Sequence, residues 1–326
     1  MQKIVDLKTK LYQMFVLGTE GGEYIKALKS GLGGIIFFTH DIKSKEQFIS
    51  LVRDIKSQAL ISPFLSVDQE GGRVERTENI HNGKKYLSAK YAFEKGLDFL
   101  KNQTKEIAVE LKSYGLNLNF APCIDVNTNP NNPIIGERAF SINTQDVITA
   151  EKIVSKTYEA NGIIPCVKHF PGHGDANTDS HLTLPEINMN FETLEKYHIA
   201  PFKSAINNGI EMIMIAHLHV SHFEKQKIPT SLSKNAILYL RDNLNYKGII
   251  ISDDMVMKGV ADFGEIEACE MGIRAGVNMF IYRNSDKKTI NIIETLAKKA
   301  ESDVELRNNI ENSYELIIEL KQKRGV

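Results

Sequence analysis

Residues 163–174, IIPCVKHFPGHG, run from a β-rich apolar stretch straight into a polar, glycine-broken segment, with Lys168 and His169 at the junction. Gly172 and Gly174 break any helical or strand period, so the chain beyond them is expected to cross the surface as a long loop, and its glycines to supply flexibility. Long ordered loops usually have a function. The same grammar recurs along the chain: a short apolar run, a polar loop, then apolar residues at helical spacing. The runs are MFVLG (14–18), GGIIFF (33–38), PFLSVD (63–68), LNFAPCID (118–125), IIPCVKHF (163–170), MIMIAH (212–217), GIIISD (248–253) and MFIY (279–282), eight in all. Between them, segments such as 105–114 place Ile107, Leu111 and Tyr114 on one helical face. Eight alternating units over 326 residues call for a closed parallel barrel, since a doubly wound sheet usually has fewer strands. The chain therefore reads as an α/β protein, a single-domain (β/α)8 TIM barrel over residues 1–326. A last helix near 302–321, opened by a capping box of Ser302 and Glu305, is expected to pack outside the barrel.

Bulk chemistry narrows the partners. The chain is 42% hydrophobic and 25% charged, ordinary for a protein with a sizeable core. Forty Lys and Arg against 41 Asp and Glu leave a net charge of −1, which offers no electrostatic case for nucleic acid or an anionic membrane and favours a neutral small-molecule partner. The first 18 residues, MQKIVDLKTKLYQMFVLG, lack a signal-peptide pattern, and no apolar run reaches bilayer length. A cytoplasmic monomer is the expectation. Cys123, Cys166 and Cys269 lie far apart and read as reduced core residues rather than as metal or redox groups.

Enzymes on this barrel build their sites at the carboxyl ends of the strands. Asp68, Asp125, Lys168, His169, His217 and Asp253 all end such runs, and six ionisable groups on one rim are hard to explain as solvated surface. Beyond Gly174, Asp179–Ser180–His181 puts a carboxylate and an imidazole two residues apart, the same side of an extended loop, where the anion favours the imidazolium and makes a proton donor. An Asx aspartate beside an exposed histidine is the ordinary alternative. In ISDDMVM (251–257) two adjacent carboxylates on extended backbone face opposite ways, so Asp253 can enter the barrel mouth as a nucleophile while Asp254 caps the next helix. VDQEGGRVERT (67–77) ends another strand with Asp68 and can return Arg73 or Arg76 to the site, and NPIIGERAF (132–140) offers Arg138 as a planar donor for hydroxyls or a carboxylate.

Together VDQEGGRVER, NPIIGERAF, KHFPGHGDANTDSH and ISDDMVM, in this order and at these separations, resemble the β-N-acetylglucosaminidases of glycoside hydrolase family 3 from about Leu11 to Arg283. The resemblance implies a retaining β-N-acetylhexosaminidase needing no cofactor or metal. It makes Asp253 the nucleophile and Asp179 with His181 an acid/base dyad on a mobile loop. Asp68, Arg76, Arg138, Lys168 and His169 become ligands of the sugar, and His173 falls to loop structure. The chain departs from the common pattern at Ala139, Met255 and Asn278, none of them a reacting group. The family and the expected location imply a peptidoglycan-derived fragment, N-acetylglucosamine linked to anhydro-N-acetylmuramic acid, as substrate. A neutral histidine base would leave no anion to repel phosphate, so phosphorolysis stands as a variant of the same reaction.

Three other readings compete. His217 and His219, with His169 and Asp253, could form a zinc site, although barrel metal hydrolases usually carry the H-x-H pair on the first strand. A catalytically inert sugar-binding protein would not need both Asp253 and His181. Lysine-based aldol chemistry at Lys168 lacks the apolar pocket that lowers a lysine pKa.

Overall fold

In a computed structural model that describes residues 5–81, 84–176 and 184–326, the eight apolar runs form eight parallel strands: β1 Phe15–Glu20, β2 Gly34–Phe37, β3 Phe64–Val67, β4 Leu118–Asn119, β5 Ile164–Phe170, β6 Met212–Ile215, β7 Ile249–Asp254 and β8 Met279–Asn284. They close in chain order, with β8 pairing back to β1 through Phe15 opposite Phe280 and Val16 opposite Ile281. A strand buried on both faces has no polar side to alternate with, which is why β2, β3 and β6 read as continuous apolar sequence. Regular pairing of β4 stops at Asn119, short of the expected run, and the chain rejoins β5 at a Cys123–Lys168 bridge. Pro122 between them has no N–H to give a ladder.

Helices pack around this barrel. Helix Leu97–Ser113 buries Ile107 and Leu111, with Tyr114 at its C-cap buried beside them, as the spacing predicts. All three cysteines are free and buried. Among the described residues no helix is long and apolar enough to cross a membrane. A pair of two-residue strands, Glu186–Ile187 and His219–Val220, joins two loops outside the barrel.

Two local expectations are corrected. The last helix is Val304–Arg324, and its cap is Asp303, whose side chain accepts from the Leu306 N–H at 3.0 Å; the Ser302–Glu305 box does not form. An aspartate one position later makes the same bond with a charged acceptor, which suits a helix N-terminus better. Gly172 and Gly174 serve close packing rather than flexibility. A Cβ on Gly174 would lie 1.8 Å from the Val126 carbonyl oxygen, and one on Gly172 2.6 Å from the His198 Cβ.

The last helix also reaches the amino-terminal end of the barrel. Lys321, 2% exposed, donates to Gln13 Oε1 (2.8 Å), Gly33 O (3.0 Å) and Ser62 O (2.7 Å), and sits 4.9 Å from the Phe64 ring centre. Those three acceptors precede β1, β2 and β3, so one side chain ties their entries together. All three ammonium protons are used, which makes a buried lysine tolerable. Lys321→Ala should lower unfolding free energy by about 2–4 kcal/mol in chemical denaturation, because it opens a cavity and orphans two buried acceptors and a third that is partly buried; a change under about 0.5 kcal/mol would contradict that role.

Candidate active site

At the opposite end, the loops after the strands enclose a cavity of about 500 Å³. Asp68, Arg76, Arg138, Lys168, His169 and Asp253 all line it, six of the eight site residues expected from sequence. The other two, Asp179 and His181, lie outside the described residues.

The deepest polar group is a four-membered charge cluster. Lys168, on β5, contacts Asp68 Oδ1 at 2.7 Å and Glu70 Oε1 at 2.6 Å. Glu70 also takes a two-pronged bond from Arg138, Nε to Oε2 at 2.9 Å and Nη2 to Oε1 at 2.8 Å. Burial favours the neutral form of each group, but in this cluster the opposite charges win. Glu70 is held well below the usual carboxylate range by Arg138 and Lys168, and the Lys168 ammonium is raised above the usual lysine range by Asp68 and Glu70. Glu70 was not among the expected site residues, although it lies two positions beyond Asp68 and therefore shares its side of extended backbone.

A second cluster fixes the neighbouring imidazole. Asp125, wholly buried, meets His169 Nδ1 at 2.7 Å and accepts from the His173 N–H at 2.6 Å and from the Cys123 thiol at 3.2 Å. Burial would raise its pKa, yet His169 and these donors keep it well below the usual range. The His169 ring is thereby oriented with Nε2 3.4 Å from Arg138 Nη2. Cys123, Asp125 and His169 are close enough together to be considered as metal ligands, but their ligand atoms already bond one another.

Asp253 lies near the end of β7, and its Oδ1 accepts from the Asp254 N–H at 2.8 Å. Burial opposes its charge, and His169, His217, the Asp254 N–H and Lys168 overcome that opposition, lowering its pKa below that of an ordinary aspartate. An ionised carboxylate facing the cavity is what a nucleophile requires. Asp254 does not cap a helix. Its Oδ1 accepts from Val256 N and Arg283 N, and its Oδ2 binds Arg283 Nε, while the following helix Lys258–Ala261 starts at Met257 without a side-chain cap. Arg283 had no expected role, yet it lines the cavity mouth. The β7 carboxylate that fails to become a cap holds this arginine of β8 instead.

Arg76 is held by its neighbours in sequence. Its N–H and that of Thr77 both donate to Gln69 Oε1, at 2.7 and 3.3 Å, and Gln69 is paired with Asn119 in both directions across to β4. Thr77 Oγ1 lies 2.5 Å from His81 Nε2. The guanidinium sits over Phe38, 5.9 Å from the ring centre, and its buried Nε has no partner among the described residues. The H-x-H pair behaves differently. His217 is engaged at both nitrogens, Nδ1 with Ser231 Oγ (2.7 Å) and Nε2 with the Asp254 carbonyl (3.1 Å), which leaves no lone pair for a metal. His219 sits in the small outer sheet rather than in the cavity.

A parallel barrel carrying an ionised aspartate and a neutralised charge cluster in a cavity at its carboxyl ends is the framework of a glycosidase. Residues 6–320 match the profile described as the glycosyl hydrolase family 3 N terminal domain, and the chain belongs to that family. Beta-hexosaminidase A of Pseudoalteromonas piscicida is 31% identical over 320 residues, 90% of this chain and 53% of that protein, so the chain spans about half that relative's length. The beta-hexosaminidase of Methylococcus capsulatus is 33% identical over 278 residues, covering 83% of this chain and 81% of its own. A solved family 3 beta-N-acetylglucosaminidase from a Paenibacillus species superposes with a TM-score of 0.92 at 30% identity, over 98% of this chain and 63% of that one.

Replacing Glu70 by Gln removes the charge that both Arg138 and Lys168 face. The variant should lose about 3–5 kcal/mol of stability, as one-sided breaks of buried ion pairs do. A denaturation midpoint unchanged from wild type would show that the cluster is not what holds these loops.

Proposed function

We propose that the protein is a retaining β-N-acetylhexosaminidase that removes terminal N-acetylglucosamine from peptidoglycan-derived fragments in the cytoplasm. The observation that carries this reading is Asp253: a partly buried carboxylate kept ionised in the cavity, beside a charge cluster whose groups suit sugar hydroxyls. The relatives named as hexosaminidases support the choice of sugar. The muropeptide aglycone rests on the family resemblance alone.

In the first step the Asp253 carboxylate attacks the anomeric carbon while the glycosidic bond breaks, and the imidazolium of His181 gives its proton to the departing oxygen. In the second, water loses a proton to His181 and displaces Asp253, which restores the carboxylate and inverts the centre a second time. Asp179 orients His181 and favours its charged form. Asp68, Lys168, Arg138, His169 and Arg76 hold the sugar. Retaining geometry places nucleophile and acid/base about 5 Å apart, so turnover requires the His181 imidazole within that reach of Asp253.

Proton NMR of the products from an aryl β-N-acetylglucosaminide, with and without phosphate, tests the reaction. The expected result is the β anomer of free N-acetylglucosamine appearing first in both samples; a sugar phosphate formed only with phosphate present would make the protein a phosphorylase instead. Asp253→Ala should cut turnover by about 10³-fold or more with the fold intact, as loss of a nucleophile does. Near-normal activity would remove Asp253 from the mechanism. His181→Ala should slow substrates with poor leaving groups by about 10²–10⁴-fold and good ones much less, because only the poor ones need the proton. Equal slowing across a leaving-group series would refute an acid role.

A further inference from the structure

His173 is 2% exposed and lines the cavity, yet among the described residues neither of its ring nitrogens has a hydrogen-bond partner. A core histidine serving the fold would have found partners, because a buried polar group without them is destabilising. Nothing about the position is loose. The backbone N–H donates to Asp125 Oδ1 at 2.6 Å and the carbonyl accepts from Asn132 Nδ2 at 2.8 Å, so the residue is clamped from both sides. The ring stands edge-on to His169, 6.0 Å between centres at 72°. Burial pushes the imidazole down to about 4, so at neutral pH it is uncharged, with one nitrogen donating and the other accepting.

The other polar groups of the cavity differ in kind. Asp68, Lys168 and Arg138 carry charge already matched by neighbours and suit hydroxyls. His173 offers a neutral donor and acceptor. Across the same cavity wall Ile134 presents an apolar face, backed by the small cluster of Cys123, Ile135 and Ala139. A neutral imidazole and an isoleucine together match an amide that ends in a methyl group.

We propose that His173 is a substrate-binding residue that recognises the acetamido group of the sugar, its imidazole bonding the amide while Ile134 meets the methyl. This assignment rests on the reading of the protein as an N-acetylhexosaminidase, and it makes His173 a determinant of N-acetylglucosamine over glucose rather than a proton-transfer group.

The test compares wild type, His173→Phe and His173→Gln on an aryl β-N-acetylglucosaminide and the matching aryl β-glucoside. Phenylalanine keeps the ring volume and removes both nitrogens. It should lower kcat/KM for the acetamido substrate about ten- to thirtyfold, leave the glucoside within about twofold, and hold or raise the melting temperature, since the orphaned polar atoms are gone. Glutamine, which keeps a donor and an acceptor, should recover part of the discrimination. Equal loss on both glycosides, or unchanged discrimination in both variants, overturns the assignment; should the phenylalanine variant not fold, the glutamine variant decides on the same ratio. If wild type turns over neither glycoside, the proposed reaction fails on its own. Calorimetric binding of N-acetylglucosamine against glucose then judges His173: selective weakening for the N-acetyl sugar supports it, and no selective weakening overturns it.

Discussion

The carboxyl-terminal end of the barrel is organised by one buried contact, the Glu70 carboxylate held between Lys168 and Arg138. Removing two cations and their partners from water is costly, and the attraction regained in the interior compensates only when geometry is good and every donor is used. Here Lys168 bridges two carboxylates and Arg138 makes both prongs of its fork. The contact also joins distant parts of the chain. Glu70 belongs to the loop after β3, Arg138 to the loop after β4 and Lys168 to β5, so the cluster fixes two loops against each other and against a barrel strand.

With that frame in place, the Asp125–His169 pair becomes a matter of orientation. Asp125 takes both the imidazole of His169 and the backbone N–H of His173, which places the two rings edge to face. One faces Arg138, the other is neutral and unpaired. The same carboxylate thus fixes the start of the segment that leads toward Asp179 and His181. Gly174 packed on the Val126 carbonyl continues that anchoring, which is why a stretch that reads as flexible from its glycines is tightly seated through Ala176.

The barrel was legible because parallel strands buried on both faces leave continuous apolar runs, and each run ends where the chain must meet solvent or substrate. Asp68, Lys168, His169 and Asp253 were found by that rule alone. Glu70 was not, because it lies beside Gly71 and Gly72 and its sequence reads as turn; its charge acquires meaning only when Arg138, 68 residues later, arrives. Asp254 and Asp303 show the limit at shorter range. Whether an aspartate caps a helix depends on which N–H groups are free, and in the first case Arg283 from the neighbouring strand takes the carboxylate before the helix can.

Catalytic binding energy must come from groups whose bonding capacity is still open when the substrate arrives, held in place so that no reorganisation is needed. Most charges of this cavity are already satisfied: Lys168, Arg138 and Glu70 by one another, Arg283 by Asp254. Those contacts give rigidity and a neutralised wall. Among the described residues, open capacity remains at the Asp253 carboxylate with a single backbone donor, the Arg76 guanidinium with a buried Nε lacking a partner, and the His173 imidazole with two such nitrogens. His173 and Arg76 are held through their backbone or their sequence neighbours, and Asp253 through one carboxylate oxygen. The fold thus supports the unpaired groups from behind, and their destabilising burial is offset by the paired clusters around them.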